Sequence, residues 1–257
     1  MNQIHLDEVG STNTWLLDAL NRGEEFPDET VVWTTRQTAG RGQTGNSWEA
    51  EPDRNISFSV LLKPEFLAPR DQFVLSQITA LSVAHVVNGL IKWPNDIFVN
   101  EGKICGILIE HKLQGSRISH SVLGVGINVN QTRWVGSAPN PTSLKLQTGL
   151  EYVPQEVMEQ VCAKITAYYR QLRTCPELAR QQIHQEFMSR LYRRKGFYPY
   201  VDAATGEAFQ ASIAGIEPDG RLRLQPSDDN RTGQLPSERV YWFKDVKFVL
   251  PCGVIKE

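Results

Sequence analysis

Apolar positions along the chain change period several times, and each change predicts an element. Ser11-Thr-Asn-Thr precedes Trp15, Leu16, Leu17, Ala19 and Leu20, with Gly23 beyond. A capping hydroxyl, an amphipathic stripe and a Gly stop predict a short helix after Ser11. Residues 30–36 are β-branched and aromatic, and residues 55–63 alternate Ile56, Phe58, Val60 and Leu62 with smaller side chains. Both read as strands, so the Gly-rich stretch between them is a strand-to-strand loop. Residues 71–90 carry Phe73, Val74, Ile78, Leu81, Val83, Val86 and Val87 without Pro, which predicts a long, largely buried helix. Three strand-like pieces follow, at 91–93, 103–110 and 119–129, separated by Pro94-Asn-Asp and Asn100-Glu-Gly.

Val157, Val161, Ile165, Tyr168 and Leu172 fall at helical spacing, and Pro176 separates them from a second helix through Leu178, Ile183, Phe187 and Leu191. After about residue 195 the texture becomes short alternating runs punctuated by Gly206, Gly220 and Gly233. The expectation is an α+β chain of two domains: residues 1–194, closed by a helical hairpin, and residues 195–257, a small antiparallel barrel that leans on its neighbour.

Composition narrows the class. Of 257 residues, 40% are hydrophobic, and Lys+Arg 27 against Asp+Glu 29 leaves a formal charge of -2. With a pI near 6.2 there is no global basic field of the kind nucleic-acid binding uses, and DNA is not expected as a partner. The run Arg190, Arg193, Arg194 and Lys195 reads as a helix end whose cations suit the helix dipole. No apolar run approaches the roughly 18 residues of a membrane helix, and the N-terminus carries no basic-then-apolar leader, so a cytoplasmic protein without a membrane contact is expected. Cys105, Cys162, Cys175 and Cys252 are scattered without a C-x-x-C pair, which predicts reduced packing residues.

Gly40-Arg-Gly-Gln-Thr-Gly45 matches G-x-G-x-x-G, but it leads into a strand, where a dinucleotide-binding turn would open a helix. No H-R-D or D-F-G accompanies it, so the kinase reading fails as well. What remains is a loop of permissive backbone with Arg41 at its centre, suited to an anionic ligand or else a flexible turn with a solvated Arg. Lys92-Trp-Pro-Asn-Asp96 sits at a strand end; Asn95 and Asp96 suit either a ligand or an Asx-turn. Lys103, between Gly102 and an apolar strand, is either a snorkelling edge residue or, the favoured reading, a buried point charge for an anion. Gly124 and Gly126 weaken a strand unless a ligand or another backbone comes close. None of the five histidines forms a ligand-spaced pair, and G-x-S-x-G, H-E-x-x-H and P-loop patterns are absent. A site of Arg, Lys, Asn and Asp without an activated nucleophile works by positioning two substrates and neutralising charge, as in carboxylate attack on an α-phosphate.

Ser11-Thr-Asn13, Gln37 to Trp48, Lys92 to Asp96, Gly102 to Glu110 and Gly124 to Asn128 resemble, in order, the motif series of biotin protein ligases. The resemblance implies a catalytic domain akin to class II tRNA synthetases followed by an SH3-like barrel. It implies two half-reactions: biotin and ATP, with Mg²⁺ carried on the nucleotide, give biotinyl-5'-AMP; a lysine of the biotin carboxyl carrier protein of acetyl-CoA carboxylase then takes the acyl group. By the same resemblance Ser11, Thr12, Asn13 and Gln37 would grip the ureido ring. Gly40, Arg41, Gly42 and Gln43 would fold over carboxylate and phosphate. Lys103, with Arg41, would be catalytic and bridge the two charges. Gly106, Gly124 and Gly126 would let the valeryl chain lie on backbone, and Trp48, Asn95, Asp96 and Asn128 would hold the adenylate.

The loop departs from the G-R-G-R-R-G-R common in bacterial members, with Gln43, Thr44 and Asn46 in place of cations. Only ten residues precede Ser11, so the DNA-binding domain of bifunctional members is not expected. A lipoate or octanoyl ligase and a non-catalytic biotin-sensing regulator are the competing readings; no R-R-x-x-G-G-G segment supports the former. An exposed sheet edge would allow a homodimer or pairing with the acceptor. The segment after residue 195, free of these motifs, is expected to serve transfer or integrity more than biotin recognition, and the loop 40–46 is expected to order on ligand.

Overall fold

A computed structural model describes residues 1–43, 45–136, 140–227 and 237–251. Thr44, within the Gly-rich loop, and Gly233 and Cys252, within the C-terminal region, lie outside the described residues. In chain order the first part contains β1 (Gln3–His5), α1 (Thr12–Asn21), β2 (Thr30–Thr34), β3 (Gly40–Arg41), β4 (Ser47–Trp48), β5 (Ile56–Leu62), α2 (Phe73–Val86), β6 (Leu90–Lys92), β7 (Asp96–Val99), β8 (Gly102–Gln114) and β9 (Arg117–Ile127). It ends with α3 (Leu144–Thr148), α4 (Pro154–Thr174) and α5 (Pro176–Ser189). The remainder is β10 (Tyr198–Asp202), β11 (Ala208–Ile216), β12 (Leu222–Pro226), β13 (Arg239–Tyr241) and β14 (Val246–Phe248).

The first sheet runs β1-β2-β5-β9-β8-β7-β6, antiparallel except for the parallel β1–β2 pair. Strand alternation divides its faces. Ile56, Phe58, Val60 and Leu62 of β5 enter the main core with α2, α4 and α5, whereas Leu61 packs with Leu16 of α1, Val32 and Val122. The intervening Ser57 and Ser59 therefore face the α1 side. Ser11 caps α1 as expected, its hydroxyl accepting from Thr14 N at 3.4 Å. The long helix is shorter than its pattern: a 3₁₀ turn at Pro69–Asp71 leads into α2, and Leu90 already belongs to β6. Strands β1, β7 and β14 and the short α3 carry too few periodic positions to be predicted.

The C-terminal strands form a five-stranded antiparallel sheet, β13-β12-β11-β10-β14. Among the described residues no ladder joins β13 to β14, so the expected barrel is seen as a sheet. It is anchored to the larger sheet: Trp93, fully buried, donates its indole N–H to Gly220 O at 2.8 Å and meets the Phe243 ring at 5.3 Å. No helix among the described residues is long and apolar enough to cross a membrane.

Candidate functional site

Register builds the site. Thr34, Ser57, Gly126, Gly106, Asp96 and Lys92 are successive cross-strand partners, one row running across β2, β5, β9, β8, β7 and β6. Directly opposed residues share a face, so motifs scattered over the sequence become neighbours. Lys103 would break this rule, since it is an odd number of residues from Gly106. A bulge in β8 restores it: Ile97 pairs Cys105 but Phe98 pairs Lys103. Ile104 and Cys105 both enter the core, and Lys103 is turned to the row. Its ammonium lies 2.6 Å from Asp96 Oδ1, and Lys92 lies 3.6 Å from Asp96 Oδ2. Burial, opposed by the Asp96 carboxylate, holds the Lys92 pKa below the ordinary lysine value. Burial also pushes the Cys105 thiol up, which removes it as a nucleophile.

The next row, Val32-Ser59-Gly124-Leu108, carries a neutral polar cluster. Ser59 Oγ lies 2.7 Å from Thr12 Oγ1 and donates to Asn13 Oδ1 at 2.6 Å. Asn13 Nδ2 donates to Leu108 O and to Glu110 Oε2. Gln37 Oε1 accepts from Thr12 N at 3.0 Å. Above these rows the segment 40–48 folds back as the β3–β4 hairpin, its Gly42 and Asn46 bonded through the backbone. Arg41 reaches Glu110 at 3.0 Å.

A cleft of about 390 Å³ opens between these parts. Of the residues expected at the site, Ser11, Thr12, Asn13, Gln37, Arg41, Gly42, Gln43, Trp48, Asn95, Asp96, Lys103, Gly106, Gly124 and Gly126 line it. Gly40 and Asn128 do not. A Cβ on Gly40 would meet Trp48 O at 2.4 Å, so this glycine serves the hairpin. Asn128 is buried and donates to Thr142 O at 2.9 Å, its Oδ1 having no partner among the described residues. Asn95 lines the cleft while its side chain donates to Ile107 O at 2.6 Å, which uses part of its polar capacity locally.

The glycine floor differs from expectation. A Cβ on Gly124 would come within 2.3 Å of Asn13 Oδ1, and one on Gly126 within 2.5 Å of the Trp48 indole; Gly106 faces the same ring at 3.1 Å. Those glycines admit the chain's own Asn13 and Trp48, and a ligand would meet these side chains first. The motif-free C-terminal sheet also reaches the site. Lys244, Val246, Lys247 and Phe248 form part of the cleft wall, although the absence of motifs after residue 195 led to the expectation that this region serves transfer or integrity more than biotin recognition. Only packing of one sheet on the other brings them there. Glu110, the acceptor for both Asn13 and Arg41, was not expected at the site, although it closes the motif that begins at Gly102.

Residues 7–128 match the model of the biotin/lipoate A/B protein ligase family. The bifunctional ligase/repressor BirA of Bacillus spizizenii is 34% identical over half of this chain, and the chain spans 40% of that protein's length. A biotin–acetyl-CoA-carboxylase ligase of Paracoccus denitrificans is 28% identical over 66% of this chain and 73% of its own. Among solved structures, biotin protein ligase from Aquifex aeolicus in complex with biotin and ATP superposes with a TM-score of 0.74 at 21% identity, covering 97% of this chain and 99% of that one. The mixed α+β fold with its large mixed sheet is shared with that structure.

Proposed function

From the match of residues 7–128 to the biotin/lipoate A/B protein ligase family model, we propose that the protein is an ATP-dependent biotin protein ligase. It would form biotinyl-5'-AMP and pass the biotinyl group to a lysine of a biotin carboxyl carrier protein. The observation that carries the reading is the convergence of a neutral polar cluster, Arg41 and Lys103 on one cleft. The fused ureido ring of biotin needs both donors and acceptors, and Ser11, Thr12, Asn13 and Gln37 offer both. At the other end Lys103 would neutralise charge gathering between carboxylate and α-phosphate, which is where a preorganised cation lowers the barrier. Asp96 holds that ammonium in place at 2.6 Å. Lys92, Lys244 and Lys247 add cations beside it for a polyphosphate.

Among the described residues no three His, Cys, Asp or Glu side chains converge as a metal site. Asp96, a carboxylate that lines the cleft, would be the side chain to meet a Mg²⁺ ion that arrives on the nucleotide phosphates. The ion would supply charge neutralisation of the leaving pyrophosphate. The division into a synthetase-like domain of residues 1–194 and an SH3-like region of residues 195–257, a cytoplasmic location, and a homodimer or carrier pairing along a sheet edge belong to the same proposal; the five-stranded C-terminal sheet supports the second domain.

Incubation with ATP, Mg²⁺, biotin and a carrier domain tests the reading by intact mass. The biotinyl increment on the acceptor lysine is the expected outcome. An increment with lipoate or octanoate in place of biotin would assign the other branch of the family, and no increment with any of them would end the proposal.

A further inference from the structure

The carboxylate of Glu110 is bonded to Asn13 and Arg41 of the cleft wall, where a negative charge would oppose the anionic ligand of the proposed function unless it does something else. Its register opposite Val122 puts it on the α1 face of the sheet. There it accepts from Asn13 Nδ2 at 2.8 Å and from one nitrogen of Arg41 at 3.0 and 3.2 Å. Three segments distant in sequence thus meet at one group. Asn13 is itself fixed by Leu108 O and Ser59, so the carboxylate is held from the sheet side before the loop reaches it. Arg41 uses only its NH2; among the described residues its Nε and NH1 make no hydrogen bond, and Arg41 lines the cleft. The β3–β4 hairpin has just two cross-strand pairs, Gly40 with Trp48 and Arg41 with Ser47, too few to hold a Gly-rich loop without an anchor.

We propose that Glu110 is a positioning residue that ties the Gly-rich hairpin to the polar end of the cleft and presents the remaining guanidinium donors of Arg41 to the ligand carboxylate. The side chains are 47% and 30% exposed, so the pair adds little to global stability. Its effect is on where Arg41 sits. This rests on the biotin reading for the identity of the ligand, but the tether itself exists in the free protein.

The full-length chain carrying Glu110→Ala, Glu110→Gln, Arg41→Ala or the double substitution Glu110→Ala with Arg41→Ala tests it. Without ligand, amide exchange across residues 40–43 and 45–48 should quicken about 10-fold in Glu110→Ala and less in Glu110→Gln, which keeps an oxygen for Asn13. The biotin KM should rise about 10-fold with kcat within about 2-fold, the split expected when binding geometry is lost and chemistry is not. The double variant should be within about 2-fold of Arg41→Ala alone, because both substitutions remove one coupling. Unchanged exchange and unchanged KM in Glu110→Ala, or losses that multiply in the double variant, would overturn the proposal. If the wild-type chain binds no biotin, the substrate reading fails, while the exchange experiment still decides the tether.

Discussion

At one end of the cleft Ser11, Thr12, Asn13 and Ser59 are buried and neutral, with Thr12, Asn13 and Ser59 bonded together; at the other Lys92, Lys103 and Asp96 are charged and keep contact with solvent, Lys103 being 26% exposed. The difference follows from the cost of burial. A neutral hydroxyl or amide can be sunk into the sheet once its partners are supplied, whereas an unpaired buried ion is prohibitive. The neutral end is assembled before any ligand arrives, and its worth is recognition. The charged end holds its lysines on a single carboxylate, two cations to one anion. That leaves positive charge to be completed by an anion, most strongly when charge concentrates in a transition state.

On this division the largest effect lies at the charged end. Lys103→Ala should lower kcat for adenylate formation by about 10²-fold or more, the usual loss on removing one charge-stabilising donor. Biotin affinity should change far less. Pyrophosphate release at near wild-type rate from the purified variant would show that the charged end does not act on the reaction.

At the neutral end the effect should be smaller and of the opposite kind. Asn13→Ala takes the Nδ2 donor away from Leu108 O and Glu110 and leaves the Ser59 hydroxyl with Thr12 Oγ1 as its acceptor. Orphaning one buried polar group costs about 1–3 kcal/mol, so biotin binding should weaken by about 10- to 100-fold in calorimetry. Turnover at saturating biotin should hold. A fall in kcat with unaltered biotin affinity would reverse the roles of the two ends.

The sequence disclosed the two ends unequally. Ser11 announced its cap, and the alternation of Ile56, Phe58, Val60 and Leu62 implied that Ser57 and Ser59 share the opposite face. The register that brings Gly106, Gly126, Asp96 and Lys92 into one row was not readable, because pairing partners are set by loops and bulges that leave little local trace. Lys103 is the clearest case: counting by twos from Gly106 would bury it in the core, and only the bulge at Ile104–Cys105 re-aims it. The glycines of β9 were legible as sites of close approach, but which group approaches is a tertiary fact, and it is Asn13 and Trp48. The lysines of β14 and its preceding turn arrive from another sheet, and no periodicity encodes that.

The smallest effect concerns pH, and it separates the two ends by sign. Burial lowers the Lys92 pKa in the folded protein below its ordinary 10.5, the Asp96 carboxylate opposing but not outweighing it. Between the lowered value and 10.5 the unfolded chain holds a proton at this position that the folded chain has released. Unfolding there takes up a proton, so raising pH through that window stabilises the fold at this position. Lys92→Met removes the linkage, and the buried ammonium with it. Measured by denaturant unfolding from neutral pH up to about 10.5, the stability of wild type relative to Lys92→Met should therefore climb, with a slope below about 1.4 kcal/mol per pH step of one, the limit set by a single proton. The neutral end has no counterpart, and Ser59→Ala should show a gap to wild type that stays level over the same range. A gap for Lys92→Met that is level too, or that falls as pH rises, would mean that the Asp96 pairing outweighs desolvation and that the charged end is held as tightly as the neutral one.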